Sequence, residues 1–141
     1  MDIKGEKFDK SERLCSAKVI SALFETGNQF HTSHFKIVWD FNQSGISAPV
    51  QVMFSVPKRG FRHAVTRNLI KRRLREAYRR NKKVLYEDLS INNIQISLVI
   101  IMKGNSVPDY TTIEKSIKEI LSKLSIKVRE KQSGRKFGEI V

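Results

Sequence analysis

Hydrophobic residues recur along this chain with two different periods. From Ser16 to Glu25 the apolar positions Val19, Ile20, Leu23 and Phe24 form one face of a helix, and Gly27 is a stop just beyond it. Phe35 to Phe41 is rich in β-branched and aromatic residues and predicts a strand. Asn42-Gln43-Ser44-Gly45 reads as a turn. Val50, Val52, Phe54 and Val56 then alternate with Gln51, Met53 and Ser55, a period of two that ends at Pro57. A second helix is expected to start at an N-cap at Thr66 and to run to Lys83. Ile94 to Met102 is a nearly continuous aliphatic run, as in a strand buried on both faces. Gly104, Asn105, Pro108 and Asp109 form a loop. A last helix starts at Thr111, in capping-box spacing with Glu114, and its apolar face is Ile113, Ile117, Ile120, Leu121, Leu124 and Val128. Residues 130–141 contain Gly134 and Gly138, show little periodicity and are expected to be disordered.

This order predicts an α+β fold, a two-layer α/β sandwich with a mixed central sheet and room for one further strand before the second helix. One domain is expected over residues 1–128, flexible at 1–12, followed by a basic tail over 129–141. The single cysteine, Cys15, can form neither an internal disulfide nor a cysteine-based metal site. Met1 to Lys7 has no apolar stretch of the kind a signal peptide needs. The longest apolar run, Leu98 to Met102, is too short to span a bilayer. A soluble, cytoplasmic protein with no membrane partner is expected.

Charge changes the picture more than composition does. The formal net charge is +13, and twelve of the 27 Lys and Arg residues lie between Lys58 and Lys83. Glu76 is the only acid in that window, which therefore carries +11 while the rest of the chain is close to neutral. So local a concentration marks a polyanion-binding surface, with nucleic acid as the partner. On a helical wheel of about 100° per residue, Ile70, Leu74 and Ala77 form the core face, with Tyr78 at its margin. Arg67, Asn68, Lys71, Arg72, Arg75, Arg79 and Lys82 fall on the adjoining arc, and Arg73 and Arg80 lie off it. A solvated helix alternates charge sign to gain i,i+4 pairs. This one stacks like charges at Arg67/Lys71, Lys71/Arg75 and Arg75/Arg79, a repulsion that a bound anion relieves.

The run Phe54-Ser55-Val56-Pro57-Lys58-Arg59, followed by Ala64-Val65-Thr66-Arg67-Asn68-Leu69-Ile70-Lys71-Arg72-Arg73-Leu74-Arg75-Glu76-Ala77-Tyr78, resembles the protein subunit of bacterial ribonuclease P. Leu23-Phe24-Glu25-Thr26-Gly27 is similar to that family's first helix, and the likeness extends from Arg13 to Val128. Two positions depart from the pattern. Leu69 replaces the second arginine of an Arg-Asn-Arg triplet, so that one phosphate contact is either lost or supplied by Arg73, and Ile20 replaces the first of two aromatic residues in the first helix.

The resemblance implies a left-handed crossover and the fold of the second domain of a small-subunit ribosomal protein. It also implies that the RNA subunit is the catalyst and that Mg²⁺ is held by that RNA, with no cofactor bound by the protein. The partners would be ribonuclease P RNA and the 5′ leader of precursor tRNA, in a particle with one protein and one RNA. The RNA-subunit contacts would be Lys58, Arg59, Arg62, Arg67, Asn68, Lys71, Arg72, Arg75 and Arg79. A leader cleft between the sheet and the first helix would draw on Ile20, Phe24, Phe35, Ile37, Trp39, Phe54 and Val56; core packing is the commoner fate of such aromatic and aliphatic residues, with Phe35 and Trp39 the first exceptions to it. No catalytic or metal constellation is visible, because His31, His34 and His63 lack carboxylates at ligand spacing. A structural RNA-binding protein of ribosomal type also fits the basic strip, but not the Arg67-Asn68-x-x-Lys71-Arg72 spacing. A DNA-binding module lacks the preceding helix-turn-helix partner. A self-sufficient nuclease lacks a carboxylate cluster for Mg²⁺.

Overall fold

Local signals place most of the elements. Ser16 caps helix α1 (Ala17–Thr26) through its side-chain oxygen, which accepts from the Val19 amide at 3.3 Å. The strands are β1 (Asn28–His31), β2 (Phe35–Phe41), β3 (Val50–Ser55) and β4 (Ile96–Met102). Helices α2 (Ala64–Asn81) and α3 (Lys83–Ile91) lie between β3 and β4, and α4 (Tyr110–Ile140) closes the chain. This computed structural model describes residues 8–42 and 47–140, with side chains to 134. The turn expected at 42–45 therefore lies, beyond Asn42, outside the described residues.

The sheet order is β1-β2-β4-β3. β1–β2 and β2–β4 pair antiparallel, and β3–β4 pair parallel through the α2–α3 connection. Strand register sorts the side chains into two faces. Phe30, Ile37, Ile100 and Phe54 lie in one row and Trp39, Leu98 and Val52 in the next, and both rows face the layer made by α2, α3 and α4. The opposite face carries Val38, Val99 and Met53, and α1 crosses it with Leu23 buried on Val38 and Val99.

Several expectations are corrected here. β1 is not legible in the sequence, because four residues with one buried side chain, Phe30, leave too short a pattern. The extra strand therefore precedes Phe35, whereas it had been expected after Ser55. α3 was also missed. It follows α2 after one residue, Lys82, and buries only Leu85 and Leu89. α2 begins at Ala64 rather than beyond Thr66, with His63 in the capping position and no side-chain cap. At α4 the cap is Asp109, which accepts from the Thr112 amide at 2.8 Å, so the helix starts one residue before Thr111. α4 also continues to Ile140, through the segment expected to be disordered. Residues 10–12, expected to be flexible, form a 3-10 turn with an Asp9–Glu12 capping box.

The next residues, Arg13 and Leu14, pair with Val52 on the outer side of β3 and shield that edge. A buried network holds this strap. Lys82 Nζ donates to Glu12 at 2.5 Å, with side-chain exposures of 2% and 7%, and lies over the rings of Tyr86 and Phe8 at 5.1 and 5.9 Å. Gly60 is required by close approach, because a Cβ there would stand 2.2 Å from the Gly104 carbonyl oxygen of the β4–α4 loop.

Candidate nucleic-acid interface

Helix α2 is anchored through Ile70, Leu74, Ala77 and Tyr78, each 0% exposed. That face fixes the rotation of the helix and turns Asn68, Arg72 and Arg75 outward, with Lys71 half-buried beside them. Lys58, Arg59 and Arg62, in the β3–α2 loop, are also exposed. None of these residues has a side-chain hydrogen bond or ion pair among the described residues. The His63 side chain makes no cap, so the first-turn amides of α2 open beside the same cations. The result is an uncompensated positive ridge from the loop along one side of the helix.

Three residues of the expected strip, Arg67, Arg79 and Lys82, are engaged within the protein, and so is Arg73, which lies off it. Arg67 directs one terminal nitrogen to the carbonyls of Phe61 and Arg62, both at 2.9 Å, and so braces the loop that carries Arg59 and Arg62. Arg79 donates to Glu76 at 2.6 Å, and that bond holds the Glu76 carboxyl below its ordinary value. Lys82 belongs to the interior. Arg73 donates to the Pro108 carbonyl at 2.8 Å and so ties α2 to the start of α4.

The cleft beside α1 is built from different residues than expected. Phe35, Ile37, Trp39, Phe54 and Val56 are between 0% and 8% exposed and belong to the core on the far side of the sheet. The reason is the pleat. The larger apolar set goes to the thicker helical layer, and the mixed set at the intervening positions faces α1. Phe35 and Trp39 are no exceptions. Trp39 is sealed under Phe41, with ring centroids 5.5 Å apart. On the open face, Lys36, Ile101 and Ser55 form one row, Val38, Val99 and Met53 the next, and Asp40, Ser97 and Gln51 the third.

Ile20 packs half-buried around the Val38–Val99 cluster with Met53 and Ile101, and Phe24 is 46% exposed on the adjoining helix flank. These two members of the expected cleft are placed beside this floor. Met53 is an addition that the alternation in β3 already contained, since it shares a face with Gln51 and Ser55, whereas Ile101 lies in the unbroken aliphatic run of β4 and is assigned to that face only by its pairing with Lys36 and Ser55. On the other flank of α1 a cavity of 330 Å³ is bounded by Lys18, Asp40, Asn42 and Ser97, with Asn42 Nδ2 donating to Ser97 Oγ at 2.7 Å.

Among the described residues, no three His, Cys, Asp or Glu side chains gather as a metal site, and no helix is long and apolar enough to cross a membrane. His34 Nδ1 lies 3.4 Å from Ser116 Oγ on α4.

The ribonuclease P family model matches residues 8–125. The chain belongs to the ribonuclease P protein family. A ribonuclease P protein component from Porphyromonas gingivalis is 32% identical over 116 residues, covering 82% of this chain and 85% of that protein. One from Chlorobium phaeobacteroides is 30% identical over 127 residues, covering 83% and 87%. The solved Thermotoga maritima RNase P protein superposes with a TM-score of 0.64 at 21% identity, over 79% of this chain and 96% of that one. At that identity the likeness speaks for the fold alone, the four-stranded mixed sheet with its helices. The family's matched segment contains the whole α2 ridge and the α1 cleft.

Proposed function

We propose that this chain is the protein subunit of ribonuclease P, assisting endonucleolytic removal of the 5′ leader from precursor tRNA. The ridge on α2 and the β3–α2 loop would bind the catalytic RNA, and the floor beside α1 would hold the single-stranded leader. The observation that carries this reading is the ridge itself, a row of cations with no partners in the described protein, on a helix fixed by a fully buried face. Cations so placed neutralise phosphates and release counterions, giving affinity that falls steeply with salt. The α1 floor offers apolar surface at Ile20, Met53 and Ile101 and a stacking ring at Phe24, which suits unstacked bases. On this reading the RNA subunit holds Mg²⁺ and supplies the chemistry. The protein supplies charge and position, as one copy per RNA, in the cytoplasm.

Reconstitution tests this. The chain alone should not cleave precursor tRNA, whereas the chain with a bacterial ribonuclease P RNA should do so at low Mg²⁺. The Arg72→Ala/Arg75→Ala variant should flatten the log K against log salt line for the RNA subunit by about 1.4–1.8 units, for two phosphates released. Arg67→Ala is the less clean probe, because it also unbraces the loop. An unchanged slope in the double variant, or cleavage by rigorously RNA-free protein, would refute the reading.

A further inference from the structure

Toward its C-terminus α4 carries a second set of cations beside the opposite edge of the sheet. Its inward face is apolar as far as Val128, with Ile113, Ile117, Ile120, Leu124 and Val128 at most 1% exposed. At about 100° per residue the same side of the helix then presents Lys127 and Lys131, both exposed. Beneath them is β1, the outer strand of the sheet. Lys127 reaches over that strand, its Nζ 5.3 Å from the centroid of the Phe30 ring. Two shallow clefts lie in the angle, one of 350 Å³ between Gln29, Lys127 and Lys131 and one of 310 Å³ between Phe30, His31 and Lys127.

The neighbouring cations are held in ion pairs and these two are not. Lys123 pairs with Glu119 at 3.1 Å, and Arg129 pairs with Asp88 at 2.7 Å. Among the described residues Lys127 and Lys131 have no hydrogen-bonded or ion-pair partner. They repel each other at i,i+4, as the cations of α2 do, and Glu130 is the only acid lining the two clefts.

We propose that Lys127 and Lys131, with the β1 edge, form a second contact for an RNA sugar–phosphate backbone, separate from the ridge on α2. The choice of RNA rests on the ribonuclease P reading; the existence of an anion site rests on the geometry. An acidic peptide added to β1 fits less well, because strand addition needs a long run of edge amides and side-chain pockets, and β1 has four residues. A phosphate backbone needs only spaced cations along an open groove. With strands about 4.8 Å apart, the two edge strands β1 and β3 are separated by roughly 14 Å, and Lys127 and Lys131 stand beside the β1 edge. The stretch they contact belongs either to the RNA subunit or to the tRNA substrate.

The test uses the full chain with Lys127→Gln/Lys131→Gln, which keeps an aliphatic stem over Phe30. One arm measures binding to ribonuclease P RNA against salt, and the other measures binding of precursor tRNA by the assembled holoenzyme. One arm should weaken about threefold to tenfold near physiological salt with a slope shallower by about 1.4 units, and the affected arm identifies the source. Lys127→Arg/Lys131→Arg should bind as wild type. If the double Gln variant melts early, Lys131→Gln alone, which leaves the Phe30 contact intact, decides with half the slope change. Wild-type binding in both arms while Arg72→Ala/Arg75→Ala weakens would overturn this second contact and leave the proposed function standing. If the α2 variant also binds as wild type, both fail. Displacement of RNA from this edge by polyglutamate at equal charge concentration, with no slope change in the Gln variant, would assign the surface to an acidic protein instead.

Discussion

Lys82→Met should unfold this protein far more readily than any substitution on the exposed ridge. Wheel geometry puts Lys82 among the cations of α2, yet its side chain is 2% exposed and bonded to Glu12, itself 7% exposed. Removing the ammonium leaves the Glu12 carboxylate buried with its other oxygen on the Asp9 amide and no cation against it. Removing one member of a buried pair typically costs about 3–5 kcal/mol. At about 3 °C per kcal/mol for a chain of this length, the melting temperature should fall by roughly 10–15 °C. The combined Glu12→Leu/Lys82→Met variant should recover most of that loss, because two apolar side chains leave no charge stranded. Urea midpoints for the two single variants and the double variant give the coupling directly. The salt slope for RNA binding should be the same in the double variant as in wild type. A Lys82→Met loss below about 1 kcal/mol, the scale of exposed pairs, would refute the argument. So would a slope that falls as it does for Arg72 and Arg75, which would return Lys82 to the RNA surface.

Two further outcomes follow from the same geometry. Phe24→Ala should leave the melting temperature nearly unchanged and weaken holoenzyme binding of long-leader precursor tRNA about tenfold, with mature tRNA unaffected, whereas Trp39→Ala should cost about 3–5 kcal/mol of stability. Equal leader binding by a stable Phe24→Ala protein would remove that ring from the cleft. The Asp88 carboxyl is held below its ordinary value, first by the Arg129 hydrogen bond and then by Ser125. Its stabilisation is therefore complete above the unfolded-state value of about 3.9 and is lost as pH falls through the lower folded value. Urea unfolding between pH 5 and 2 should show a shallower decline in Asp88→Asn than in wild type, and parallel curves would show that the α3–α4 link is solvated.

Three strands, the rotation of α2 and the location of its charge were legible in the sequence, with the last strand drawn from Ile94 where it begins at Ile96, because each depends on a period or a composition readable within one segment. Ile70, Leu74 and Ala77 define a buried side whatever they pack against, so the outward arc of cations follows. Which face of the sheet opens toward α1 could not be read, because a strand with two apolar sets says that both are buried and not which layer each meets. Phe54 and Met53 are adjacent in sequence, and only the stacking of α2, α3 and α4 on one side sends Phe54 to the core and leaves Met53 beside α1. β1 and α3 are short enough to need a neighbour's surface before they persist, and their own patterns are correspondingly weak. The fates of Arg67, Arg73 and Lys82 were decided by groups outside the helix: the loop carbonyls at 61 and 62, the carbonyl of Pro108, and Glu12, seventy residues before Lys82. A basic side chain on a wheel has a direction but no partner, and partners are what tertiary structure assigns.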